Sequence, residues 1–261
     1  MLTLFTLNKK GLKMKKIILL LLASITLWAN SAQEIAQKSY AKISGYKSSI
    51  SKTTMLLQNA QGDKNIRKVL IKKLEGDNGD KSLLTFLFPN DLKGTKLLSY
   101  EVIGGDDKQW LYLPALKRVK RISSRNKSGS FMASEFSYED IASQNYKNYT
   151  YTQEVHTVLR DGVEYFQIER IPKDKHSGYS KQIIYIDTKE YLARFGEYFD
   201  KQDKLLKKIF FRNYVVIDGV WRVHTIFIQN VQNKKSSLLT WDDDSINAGL
   251  GQKDFSKRVL R

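Results

Sequence analysis

Apolar positions change period along this 261-residue chain, and the changes mark its elements. Between Glu34 and Ile43 the residues Ile35, Ala36, Ser39, Tyr40 and Ile43 recur every three or four positions. That spacing lays one apolar stripe along a helix, and Gly45 supplies a stop. From about Ser49 the pattern shortens to strand-length apolar runs at 55–57, 69–71, 83–88, 97–103 and 110–113, separated by Gly, Asn and Asp clusters.

The second half carries hairpin punctuation at regular intervals: Asp161-Gly162, 187–190, 200–203, Asp218-Gly219 and 233–235. Asp-Gly between apolar runs favours a type I′ turn because both residues tolerate positive φ. Consecutive hairpins predict an antiparallel meander of roughly ten strands at the usual strand length, enough for the sheet to curl toward a barrel. Within 205–217, Ile209, Phe211 and Val215 are expected on one face and Phe210, Tyr214 and Val216 on the other. Likewise Val220, Ile226 and Ile228 oppose Trp221, Val223 and Phe227. Two apolar faces need two coverings. A filled core with a helix outside fits this pattern as well as an internal cavity does.

A helical insert is expected near 133–142, capped by Ser134. No repeat or linker divides the chain, so 33–261 reads as one domain. Residues 1–32 read as a secretory signal peptide: Lys9, Lys10, Lys13, Lys15 and Lys16 without an acid, an apolar run at 17–22, then small residues at Ala29, Ser31 and Ala32. A membrane anchor would need an unbroken apolar span of ~18 residues, and Asn30 ends this one early. Cleavage is expected after Ser31 or Ala32, and Met14 opens a complete signal by itself.

The charge of +17 changes meaning with that segment. Without its five lysines, 39 basic residues face 27 acidic ones, a charge of +12. Export makes a nucleic-acid partner improbable. Absence of cysteine leaves stability to packing and the sheet ladder, and removes any site of self-lipidation.

Chemistry is sparse. His156, His176 and His224 sit in separate elements and offer no metal spacing. Asp242-Asp243-Asp244 lacks the alternation of a calcium loop and reads as a solvated turn after Trp241. Ser128-Gly129-Ser130 is not the nucleophile turn of a hydrolase, and Gly94-Thr95-Lys96 lacks the context of a phosphate loop. No enzyme, metal or cofactor is expected. From Lys117 to Ser134 there are six basic residues and no acid: Lys117, Arg118, Lys120, Arg121, Arg125 and Lys127. They form either a solvated rim or an anion-facing one.

This strip belongs to a distinctive pair of blocks. Residues 110–122 read W-L-Y-L-P-A-L-K-R-V-K-R-I, and residues 129–140 read G-S-F-M-A-S-E-F-S-Y-E-D. With an upstream P-N-D-L-K-G-T at 89–95, they resemble the LolA-like outer-membrane lipoprotein-sorting proteins. The departures are Ala133, where glycine is commoner, and Glu135, where aspartate is.

The resemblance implies an unclosed, strongly curved antiparallel β-barrel, with helices covering a hydrophobic cavity. It also implies a periplasmic carrier or chaperone for the acyl chains of a lipoprotein or lipid, with an RND-type or ABC-type exporter as partner and transient membrane contact. Burial dominates such carriage: a chain of about fifteen methylenes is worth roughly 12 kcal/mol, against ~1 kcal/mol per basic residue at an anionic membrane. On this basis Trp110, Tyr112, Phe131, Met132, Phe136 and Tyr138 are expected at the cavity mouth, with Arg118, Arg121 and Arg125 facing head groups or membrane. The alternative is an envelope module holding anionic lipid or glycan on the basic rim. A lipid hydrolase would need a nucleophile that the sequence does not display.

Overall fold

The computed structural model describes residues 30–261, so the signal-peptide expectation lies outside the described residues except at its last three. Those three belong to the fold. Ser31 caps helix α1 (Ala32–Ile43) in a reciprocal box with Glu34: Ser31 Oγ accepts from the Glu34 N–H at 3.2 Å and Glu34 Oε2 from the Ser31 N–H at 2.8 Å. Cleavage after Ser31 or Ala32 would take this cap away. The helix buries Ala32, Ile35 and Ala36, and the chain turns out of it at Gly45 with φ +95°.

Thirteen antiparallel strands follow: β1 (Ser48–Gln58), β2 (Lys64–Leu74), β3 (Lys81–Phe88), β4 (Lys96–Tyr100), β5 (Lys108–Leu113), β6 (Arg118–Ile122), β7 (Tyr149–Arg160), β8 (Val163–Pro172), β9 (Tyr179–Asp187), β10 (Ala193–Asp200), β11 (Leu205–Ile217), β12 (Val220–Asn230) and β13 (Ser236–Ile246). All five expected hairpin turns of the second half occur. The count exceeds the expected ten partly because β6, Arg-Val-Lys-Arg-Ile, exposes four of its five residues and so carries no apolar period.

The strands form one sheet in the order β6-β5-β4-β3-β2-β1-β13-β12-β11-β10-β9-β8-β7. First and last strands therefore pair at its centre, Met55 opposite Leu239, while the two edges, β6 and β7, are neighbours in sequence. The barrel is not closed. Helix α1 lies on the concave side against β7, β8 and β12.

Residues 123–148 carry the chain between the two edges, and this strap corrects the expected insert. Apart from 3-10 turns at Ser124–Asn126 and Tyr146–Asn148, only α2 (Tyr138–Ile141) is helical, and its cap is Ser137, boxed with Asp140, rather than Ser134. Met132 and Ala133 take left-handed backbone angles, φ 49° and 61°, which a continuing helix cannot accommodate. Ser134 instead donates its hydroxyl to the Phe131 carbonyl at 2.7 Å. The left-handed angle at Ala133 also explains why glycine suits that position.

The expected faces of β11 and β12 are corrected too. Asn213 adopts φ 53° and has no partner in the β11–β12 register, which passes from Arg212↔Thr225 to Tyr214↔Val223. The register is unshifted, Asn213 and His224 both being skipped, so the left-handed angle rather than an extra residue changes the alternation. Tyr214 joins Ile209 and Phe211 on the inner face, Val215 turns outward, and Trp221 and Val223 share the inner face with Ile226. The three aspartates are not a turn but part of β13. A register shift brings Lys52 opposite Asp243 and Thr53 opposite Trp241, leaving Asp242 unmatched, and turns the Asp244 side chain into the interior.

Candidate functional site

A cavity of about 290 Å³ lies between α1, the strap and the concave face of the sheet. Its walls follow from strand alternation: Met55 on β1, Ile71 on β2, Leu84 on β3, Ile184 on β9, Ile209 on β11 and Leu239 on β13 all point inward. Aromatic residues line it as well, among them Tyr40 of α1 and Trp221 and Trp241 of β12 and β13.

Beside Trp221 and Trp241 the sheet is split. β12 pairs with β13 only from Thr225 to Gln229, so its first five residues lack a ladder on that side. The split is bridged by side chains: Arg222 Nε and Nη2 meet both carboxylate oxygens of Asp244 at 2.8 and 3.1 Å, with the Tyr46 ring 4.5 Å from the guanidinium carbon. The Asp244 side chain is 1% exposed, so this pair is a buried, doubly hydrogen-bonded latch. Burial pushes the Tyr46 hydroxyl up to about 12. Close by, burial and then the neighbouring Glu101 push the Asp80 carboxyl up to about 6.

The strap closes another part of the cavity and is tied down at each of its contacts. Lys207 of β11 donates to Asp140 Oδ2 at 2.9 Å and to the Tyr179 hydroxyl at 2.7 Å, and that hydroxyl donates to Asp140 at 2.9 Å. Glu139 accepts from Ser177 Oγ at 2.6 Å and from the Gly178 N–H at 2.8 Å. Burial first, and Asp140 second, push the Glu139 carboxyl up to about 7. Gln109 of β5 donates to the Tyr138 carbonyl at 3.0 Å, and the Glu135 N–H donates to Ser237 Oγ of β13 at 2.9 Å.

Of the six residues expected at a cavity mouth, Phe136 lines the cavity. Phe131 is fully buried, packed on Phe86 and Tyr138, and Met132 flanks the same cluster, its carbonyl accepting from Arg67. Trp110 and Tyr112 lie on the opposite, outer face of the sheet. There Trp110 joins Leu83, Leu98, Phe255 and Leu260, and Lys257 sits 4.4 Å from its ring. Arg118 and Arg121 are exposed on the β6 edge and Arg125 on the turn after it. Lys127 does not belong to that rim: it is buried and ion-paired with Asp174.

The two sequence blocks are thus chiefly architectural. The cavity walls come from α1, the strap, β1–β3 and β8–β13, whose inward alternation is interrupted at Asn213 and Asp242.

Three solved structures share this arrangement. An outer membrane lipoprotein-sorting protein domain from Vibrio parahaemolyticus is 43% identical over 87% of this chain and 97% of its own, with a TM-score of 0.83. The chain belongs to the LolA-like lipoprotein-sorting family. A DUF1329 family protein from Desulfovibrio piger superposes with a TM-score of 0.81 at 29% identity, over 88% of this chain and 98% of that one. A LolA superfamily protein from Nitrosomonas europaea, 19% identical over 88% of this chain and 99% of its own, shares the fold with a TM-score of 0.73. A family model described only as an uncharacterized "-like" protein matches residues 78–261 of this LolA-like chain. No curated protein matches it. Among the described residues no helix is long and apolar enough to cross a membrane.

Proposed function

We propose that this LolA-like protein is a periplasmic carrier that holds an acyl chain of a lipoprotein or lipid in its cavity, without catalysis, between an inner-membrane exporter of RND or ABC type and the outer membrane. The observation that carries this reading is the cavity itself: about 290 Å³ of space, walled mainly by apolar side chains, kept open against the concave face of the sheet. At ~0.8 kcal/mol per buried methylene, filling such a space with an alkyl chain outweighs any surface contact. The volume stands at the low end of the ~300–1,000 Å³ usual for ligand pockets, which favours one chain over several.

Residues 1–32 act as the signal peptide, and residues 33–261 as one unit. The split between β12 and β13, with Trp221 and Trp241 on its sides, serves as the entrance. The exposed Arg118, Arg121 and Arg125 orient the protein on anionic membrane, a role that makes vesicle binding sensitive to salt. Native mass spectrometry of the protein purified from the periplasm, with saturable binding of a fluorescent fatty acid after delipidation, tests the carrier. Bound lipid and saturation are expected. Absence of both overturns it, and vesicle binding that collapses with salt would then favour the envelope module acting through the basic rim.

A further inference from the structure

Three cations line the cavity, and two of them are occupied. Arg222 is held by Asp244, and Arg170 donates to Gln182 Oε1 at 2.8 Å and to Gln144 Oε1 at 3.1 Å with its guanidinium carbon 3.9 Å from the centre of the Tyr149 ring. The third is Lys73. Among the described residues its ammonium makes no hydrogen bond and no ion pair; the charges that reach it, Arg222, Asp80, Asp244 and Glu101, act on it through space.

Each nearby carboxylate accepts hydrogen bonds from other groups, Glu75 of the same lining from the Gly45 and Lys47 N–H groups at 2.9 and 2.8 Å. Asp244 binds Arg222. Asp80 accepts from the Gly76 N–H at 3.3 Å and from Ser143 Oγ at 3.3 Å. Glu101 accepts from Asn148 Nδ2 at 2.7 Å and from the Asp80 N–H at 2.9 Å. An ammonium carries three donors, and leaving all three without a hydrogen-bond partner inside a cavity is costly. Burial accordingly pushes the Lys73 amine down.

The strand register sets this amine at the polar end of a gradient. Lys73 stands opposite Ser49 on β1 and Ser82 on β3, while two positions along the same inward rows Ile71 stands opposite Ser51 and Leu84. Met55 continues the β1 row. Two residues of strand span ~7 Å, so on β2 and β3 polar wall gives way to apolar wall within the width of a head group, while β1 stays polar through Ser51 and Thr53 as far as Met55.

We infer that Lys73 seats an anionic head group, and that the preferred ligand is a single-chain amphiphile ending in a carboxylate or phosphate, its tail running past Ile71, Leu84 and Met55. The inference rests on the carrier reading and adds the ligand's polarity and orientation to it.

Competition on the delipidated protein tests it, with a fluorescent neutral-headed C16 probe displaced by palmitic acid, palmitoyl lysophosphatidic acid or hexadecanol. For the wild type, at least one of the two acids is expected to displace the probe roughly tenfold or more better than the alcohol, the range of one charge-assisted hydrogen bond. Lys73→Met is expected to bring the acids down to the alcohol and leave hexadecanol unchanged, while Lys73→Arg keeps the preference. Stronger displacement by the carboxylate would identify a free fatty acid as the source of the head group, and by the phosphate a lysophospholipid; either supports the seat. Equal displacement by acids and alcohol in the wild type, or a preference that survives Lys73→Met, overturns it while the carrier stands. Failure of every C16 ligand and of the probe itself to bind overturns the carrier reading together with it.

Discussion

Strands β3, β4 and β5 carry similar apolar residues on both faces yet enclose different things. Leu84, Phe86, Leu97 and Leu111 join the inner cluster, while Leu83, Leu98 and Trp110 join the outer one. The outer face is covered by the chain's own C-terminal segment, whose 3-10 turns at Gln252–Phe255 and Lys257–Leu260 place Phe255 and Leu260 at 0% exposure against it. Phe131 of the strap fills the inner face at Phe86, and from Leu84 onward toward β2 and β1 that face is spanned by α1 and the strap rather than filled. A tailored cover makes a core, and a suspended one makes a chamber.

The sharpest division between the two faces should come from Phe255→Ala. It empties a closed cluster and should cost about 3–5 kcal/mol in urea unfolding, with the affinity of the folded protein for an acyl probe unchanged. Equal loss of affinity would break the separation of the faces.

A smaller effect is expected from the strap's carboxylate, which has no counterpart outside. Folding raises the Glu139 carboxyl from its ordinary 4.5 to about 7. The folded state therefore holds that proton more tightly, and this contribution is complete below pH ~4.5 and lost as the pH rises through ~7. Asp80, raised to about 6, acts in the same direction. Glu139→Gln should flatten the fall in stability between pH 5 and 8 by at most a few kcal/mol, read from denaturant midpoints at each pH. An unchanged slope would remove Glu139 as its source.

The least change in stability, under ~1.5 kcal/mol, is expected for Ile209→Trp, because the added volume enters existing space. The same variant should abolish saturable probe binding. A cost as large as that of Phe255→Ala would mean that the inner face is already full.

Much of this architecture is legible in the residue pattern. The α1 stripe, the hairpin turns and the meander follow from local periodicity and turn chemistry, which act over a few neighbours. The left-handed angle at Asn213 and the bulge at Asp242 are not legible, since both look like ordinary alternation until the partner strand is known. This is why Tyr214 and Asp244 were expected on the wrong side or outside a strand.

The blocks at 110–122 and 129–140 announce the family, and their residues hold the strap and the outer cluster in place. The cavity lining carries a weaker signal, because an inward Ile or Leu has the same spacing whether it meets another side chain or empty space. Lys73 is hidden for a related reason: in Lys-Val-Leu-Ile-Lys-Lys it stands beside Lys72, and only the register separates the inward lysine from its neighbour.

The open barrel leaves two strands whose outer backbone groups lack a ladder partner among the described residues, and β6 is one of them. Arg118, Val119, Lys120 and Arg121 are consecutive and exposed along that edge. A second molecule extending the sheet there would have to bring its own row of cations alongside, so the edge repels copies of itself. The basic rim thereby disfavours the pairing of two molecules through their β6 edges.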